Sequence, residues 1–217
     1  MVGKANCIQG IGLLARFRSD LNTARERLDE ALPLYRNVGA VMGEANCLLI
    51  LGDLAWRSEP DTARERLQDA LRLYRKIGDV LGEANCIYDI GEIALSRAEY
   101  SAARQLFEDA LALYRSVAHR YAGPVLIRKG QLAQLSASGA ARAHFDAALA
   151  LFEREPKNLA LPGWRAFHAA LVATDAAVAA EKREEARAHW TRVGRLDLVD
   201  RFLDLPVVRD ETGSAAA

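Results

Sequence analysis

A glycine recurs at positions 12, 52, 91 and 130, and this spacing of 39 to 40 residues constrains the fold more than any other feature. An alanine that opens an Ala-Arg pair recurs with it at Ala24, Ala63, Ala103 and Ala141, and again at Ala186. The segments ALPLYR, ALRLYR, ALALYR and ALALFE close the same units, ending at Arg36, Arg75, Arg115 and Glu153. One such unit cannot bury its apolar face alone, so a chain that repeats it must stack the copies. Four units are clear, about 1–39, 40–78, 79–118 and 119–156, and a divergent fifth covers about 157–194.

Each unit reads as two amphipathic helices, A and B. In the second, helix A is predicted from Ala40 to Arg57, with Leu48, Leu51 and Ala55 at helical spacing. The turn Ser58-Glu59-Pro60-Asp61 ends it, with Pro60 or Asp61 placed to start the next helix. Helix B is predicted from Thr62 to Ile77, with Ala63, Leu67, Ala70, Leu71 and Tyr74 on one face. Gly78 stands where a C-cap belongs and Asp79 where the next N-cap belongs. A mid-helix glycine costs about 1 kcal/mol relative to alanine. Its recurrence implies close approach, with helix A at Gly52 lying on helix B near Ala63 and Ala70. No strand pattern appears, so the fold class is all-α.

Leu51-Gly52, Ala55, Ala63-x-x-x-Leu67 and Ala70 together resemble the tetratricopeptide repeat (TPR) pattern. Ala103-x-x-x-Phe107-x-x-Ala110 and Ala141-x-x-x-Phe145-x-x-Ala148 match it more closely. Leu48 stands where that pattern favours Trp and Ala55 where it favours Tyr, and the unit is longer than the family norm of about 34 residues. The longer unit is similar to those of kinesin light chains and Leu-Gly-Asn scaffold proteins, and to TPR arrays of bacterial multidomain signalling regulators. The resemblance covers residues 3–194 and implies an α-α superhelix (a TPR-like solenoid) of about five repeats.

Later units drift. Pro124 replaces the asparagine of earlier units and is expected to delay or kink its helix. In the fourth unit Ser136–Gly139 is the turn, and helix B is expected from Ala140 to Arg154. In the fifth, helix A is expected from Trp164 to about Ala180 and its partner from Glu184 to Val193. Residues 195–205 follow no repeat pattern and read as a C-terminal capping helix, with 206–217 a disordered tail. Pro33 lies inside the first helix B and should kink or loosen it. The first unit has no cap of its own, which suggests a fragment of a longer protein or an apolar end that pairs with something, possible self-association included.

The TPR resemblance implies that the A helices line a concave groove for a protein or peptide partner. The stripe not facing helix B then holds Asn6, Gln9, Leu13 and Arg16 in the first unit, and Asn46, Leu49, Asp53 and Trp56 or Arg57 in the second. It holds Asn85, Tyr88, Asp89, Glu92 and Ser96 in the third, and Ile127, Arg128, Gln131 and Gln134 in the fourth. These positions vary between units while the packing positions do not. Asn6, Asn46 and Asn85 form a ladder of a residue that fits a helix interior poorly, so it needs a partner. Two readings stay open: amide contacts to an extended peptide, or hydrogen bonds between helices of the array. Asp53, Asp89 and Glu92 would make the groove mildly acidic, and ordinary solvated charge is the competing reading. Trp56 and Tyr88 are either binding anchors or inter-repeat packing. Tyr35, Tyr74, Tyr114 and Phe152 read as packing, and the arginines Arg36, Arg75 and Arg115 as solvated.

Lys+Arg and Asp+Glu both number 29, so bulk charge does not drive binding to nucleic acid or to a membrane surface. No stretch of about 18 apolar residues spans a membrane and no signal peptide is legible, which makes the cytoplasm the default. Cys7, Cys47 and Cys86 fall at one repeat position and read as small packed thiols rather than metal or redox ligands. No P-loop, HExxH, GxSxG or GxGxxG motif is present, the four histidines are scattered, and no cofactor is implied. The expectation is a non-enzymatic interaction scaffold. Its alternatives are a self-associating structural module and the regulatory or sensor part of a larger NTPase or transcription regulator.

Overall fold

The computed structural model describes residues 2–117, 121–136, 139–155 and 157–203. Its elements are α1 (Val2–Phe17), α2 (Leu21–Asn37), α3 (Val41–Ala55), α4 (Pro60–Ile77), α5 (Val80–Ser96), α6 (Tyr100–Val117), α7 (Ala122–Leu135), α8 (Ala141–Glu153), α9 (Leu161–Val172), α10 (Ala176–Arg192) and α11 (Leu196–Leu198). A π-helical turn, Val199–Leu203, follows α11. No strand occurs among the described residues. The chain has the all-α, α-α superhelix fold class expected from its repeats. It divides into two compact units, Met1–Leu113 and Tyr114–Ala217. The expected tail, residues 206–217, lies outside the described residues.

In the first unit the ends of the helices follow local chemistry. Pro60 occupies the first turn of α4, where its missing N–H has no partner to lose. Gly78 closes α4 at φ 74°, a left-handed cap that glycine adopts without strain. Asp79 then caps α5 by accepting from the Gly82 amide at 3.0 Å, and Asp20 accepts from the Thr23 amide at 3.1 Å to start α2. α2 runs from Leu21 to Asn37 with Pro33 inside it.

The hairpins close on small residues. A Cβ at Gly52 would lie 2.7 Å from Leu67 Cγ and 3.3 Å from the Ala63 carbonyl oxygen, so the contact with α4 requires glycine. The approach to Ala63 is as expected, but Ala70 lies two turns further along α4. There it packs with Ala45, Leu48, Tyr74 and Cys86, because antiparallel helices bring only the start of α4 to the end of α3. Between repeats, Leu28, Ala31 and Tyr35 of α2 pack with Cys47 and Leu51 of α3.

In the second unit, Gly130 of α7 lies on Phe145 of α8 in the same manner. By alignment of Gly91 with Gly130, Pro124 stands for Asn85. α5 begins five residues before Asn85 and α7 two residues before Pro124, so the proline delays the helix start as anticipated. The fifth hairpin corrects the sequence reading. α9 ends at Val172, and α10 begins at Ala176 rather than near Glu184. Asp175 causes the break: its carboxylate accepts from the Ala177 and Val178 amides at 2.7 and 3.0 Å. The capping segment is also shorter in α-helix than expected, three residues of α11 followed by the π-turn. The core here is aromatic. Trp164 stacks on Phe152 with centroids 4.1 Å apart and meets Trp190 edge-on at 4.9 Å.

Candidate functional site

The asparagine ladder is tied into the first unit. The Tyr35 hydroxyl donates to Asn6 Oδ1 at 2.8 Å, with Gln9 Oε1 at the same distance, and the Tyr74 hydroxyl donates to Asn46 Oδ1 at 2.6 Å. Asn6 and Asn46 therefore each satisfy the buried phenol of their own repeat. The fourth repeat supplies a natural control: Pro124 replaces the asparagine and Phe152 the tyrosine, so hydroxyl and acceptor disappear together. Burial, then a neighbouring thiol, pushes the Tyr35 phenol up from its ordinary value, and burial is also the leading cause of the rise at Tyr74. Both hydroxyls thus remain protonated donors.

The other expected groove residues of this unit divide by burial. Gln9 is half-buried and its amide reaches Cys47 Sγ at 3.7 Å. Leu49 is half-buried against the clusters around Leu48 and Leu67. Trp56 packs beside Ala55 and Leu67, with the Arg57 guanidinium 4.9 Å from its ring centroid. Asp53 forms an ion pair with Arg16. Tyr88 is buried with its ring 5.7 Å from Phe107, and Asp89 and Glu92 are buried too. Asn85 is half-buried. The acidic residues therefore do not form an open strip: one is paired and two lie inside.

In the second unit the A helices α7 and α9 hold part of the chain's own C-terminal segment. Arg128 is 1% exposed; its Nη2 donates to the Arg201 carbonyl oxygen at 2.7 Å and its Nη1 to Gln131 Oε1 at 2.9 Å. The same guanidinium lies 4.7 Å from the Phe202 ring centroid, a cation-π contact sheltered from water. Phe202 also meets Trp164 edge-on at 5.2 Å and Phe167 at 5.9 Å. An arginine thus holds a main-chain carbonyl while an aromatic cluster holds the adjacent phenylalanine. Ile127 lines an apolar crevice together with Phe145, Phe152, Trp164, Phe167 and Leu171. Gln134 bridges α7 to α9 by donating to the Leu171 carbonyl at 3.0 Å. Sequence reasoning singled out Arg128 and Gln131 but not Phe202, which belongs to no repeat.

Two of the three thiols are shut away from solvent. Cys47 is fully buried, and desolvation, then the Asp29 charge, pushes its thiol up to about 12; Gln9 opposes this weakly. Burial raises Cys86 further, while Cys7 is exposed. No cluster of His, Cys, Asp and Glu able to hold a metal ion occurs among the described residues. No helix among them is long and apolar enough to cross a membrane.

A tetratricopeptide repeat family model matches residues 4–76 and 56–116, together more than half of the chain. The chain belongs to the tetratricopeptide repeat family. Solved structures share its fold. A Rap protein, in a complex with Competence and Sporulation Factor, matches at TM-score 0.76 and 16% identity, over 94% of this chain and 59% of that one. BtubC (BKLC) from P. vanneervenii matches at TM-score 0.64 and 18% identity, over 90% of this chain and 80% of that one. The chain thus spans 59% of the length of the Rap protein it matches. No curated protein matches it. As a TPR protein, it is a helical-repeat scaffold of the kind that carries protein interactions.

Proposed function

We propose that this TPR chain is a non-enzymatic scaffold whose A-helix faces hold a peptide segment of a protein partner. The observation that carries this reading is the seat of the C-terminal segment on α7 and α9. Arg128 binds the Arg201 carbonyl, a contact available from any peptide, and the cluster around Trp164 binds the Phe202 side chain. A backbone clamp beside an aromatic anchor pocket is a means of holding extended or irregular peptides. A partner segment with one large aromatic residue would compete for this seat, the chain's own segment acting as a stand-in. The Rap protein complex is in keeping with this reading. In the first unit, Gln9, Leu49, Trp56 and the free face of Asn46 are the corresponding candidates. We further assign the chain to the subclass with 39–40-residue repeats similar to kinesin light chains and to bacterial signalling arrays, acting in the cytoplasm.

The test is selection of peptides from a random display library on the full chain and its Phe202→Ala form. Enrichment of aromatic-bearing peptides on Phe202→Ala, lost on Arg128→Ala/Phe202→Ala, supports the reading. Selection unaffected by Arg128 places binding elsewhere. A second reading, self-association through the first repeat, draws on the exposed Ile11, Leu14 and Phe17; light scattering independent of concentration would remove it.

A further inference from the structure

The repeat supplies its own ruler for the first helix. Gly3, Gly43 and Gly82 occupy one position, nine residues before Gly12, Gly52 and Gly91. A Cβ at Gly43 would strike the Tyr35 ring and one at Gly82 the Tyr74 ring, whereas a Cβ at Gly3 would meet nothing within 4 Å among the described residues. In the fourth repeat this position is Tyr121, whose ring lies 6.1 Å from Tyr114. The position is thus where an A helix receives the aromatic residue of the preceding B helix, and in α1 it stands open. The neighbouring positions agree. Ile11 is 50% exposed where its equivalents Leu51 and Ile90 are 0% and 8%, and Leu14 is 61% exposed where Ile93 is 0%. Cys7 is exposed where Cys47 and Cys86 are buried.

Charge narrows the occupant. Where α2 meets α3 and α4 meets α5, the residue after the tyrosine is an arginine that pairs with a glutamate on the next A helix. Arg36 Nε donates to Glu44 at 2.7 Å, and Arg75 Nε to Glu83 at 2.8 Å. In α1 the equivalent of these glutamates is Lys4. The fold tolerates the reversed pairing, for where α8 meets α9 the residue after Phe152 is Glu153, and Arg165 donates to it at 2.9 Å. A second copy is a poor occupant. Lys4 is the charged residue beside this face, and α1 carries no acidic residue, so a second α1 would offer Lys4 no carboxylate. The matching stripes of a copy, such as Leu67, Ala70 and Tyr74, are buried in its own array.

We propose that the outer face of α1, from Gly3 through Cys7 and Ile11 to Leu14, docks an amphipathic helix of a partner protein. The helix carries Leu-x-x-Ala-x-x-x-Tyr or Phe, as Leu28, Ala31 and Tyr35 do, followed directly by Asp or Glu to meet Lys4. The aromatic ring enters the space over Gly3, and the leucine and alanine cover Cys7 and Ile11. This face is separate from the A-helix seat proposed above, so failure here leaves that reading standing.

The test uses the full chain and two labelled 18-residue peptides with the sequence of Pro60–Ile77, one unaltered and one carrying Arg75→Glu. Anisotropy titration should show the Arg75→Glu peptide binding at least about threefold more tightly, the scale of one exposed ion pair. The order should invert on Lys4→Glu protein. Gly3→Trp should abolish binding, with circular dichroism checking that the exposed substitution leaves the fold intact. Bound peptide should also slow maleimide labelling of Cys7. Three results overturn the proposal: neither peptide binds; both bind equally and Lys4→Glu changes nothing; or the protein dimerises and masks Cys7 by itself.

Discussion

Adding one methyl group at two equivalent positions should have opposite effects. At Gly82 a new Cβ would stand under 3.0 Å from three carbons of the Tyr74 ring. The ring has no room to retreat, being 1% exposed, and its hydroxyl is held by Asn46 at 2.6 Å. Overpacking of this kind costs about 1–3 kcal/mol, and loosening the hydrogen bond adds about 1 kcal/mol. Alanine returns up to about 1 kcal/mol through helix propensity, so the net loss for Gly82→Ala is about 1–3 kcal/mol. For a chain of this length that lowers Tm by roughly 2–12 °C. Gly3→Ala meets nothing within 4 Å among the described residues and should be neutral or slightly stabilising. Thermal melts followed by circular dichroism give the comparison. Because repeat arrays need not melt as one body, amide exchange in α4 and α5 should report the loss locally. Tyr74→Leu in the Gly82→Ala background should recover part of it, a non-additivity expected of touching residues. Equal stability of the Gly82→Ala and Gly3→Ala proteins would refute the packing argument.

Asn46→Ala should cost about 1–2 kcal/mol by stranding the Tyr74 hydroxyl, and Asn46→Ala/Tyr74→Phe less than the sum of the single changes, as urea melts can show. Native protein should react with a thiol reagent at Cys7 alone and unfolded protein at all three cysteines. The Cys47 thiol is higher in the fold, about 12, than its ordinary 9.0. The unfolded chain therefore loses this proton first, and stability present below about pH 9 should decline as pH rises toward 12, measurable by urea melts. Asp175→Ala should cost about 1 kcal/mol and raise amide exchange at Ala177 and Val178.

The repeated features were legible because each was written several times in register. Gly52, Ala63, Gly78 and Asp79 each have a packing or capping duty that their residue type announces. The break at Asp175 was masked by alanines on both sides, whose helix propensity runs through the stretch; the capping carboxylate is a single weak signal against it. The asparagines were legible as needing a partner, but a spacing cannot choose between a peptide and Tyr35 or Tyr74. Asp89 and Glu92 read as surface charge because helix periodicity gives a direction and not the depth of cover. The contact of Arg128 with Phe202 was beyond reach: it joins residues far apart in sequence, one of them outside every repeat.

The seat of Phe202 on α7 and α9 is the central claim, and rebinding in trans tests it most directly. A peptide of residues 196–203 should be titrated into full-length Phe202→Ala protein while following tryptophan fluorescence, since Trp164 lies 5.2 Å from Phe202. Saturable binding is expected, lost when the peptide itself carries Phe202→Ala and lost again in Arg128→Ala/Phe202→Ala protein. No binding, or binding that persists without both Arg128 and the peptide phenylalanine, would contradict the account.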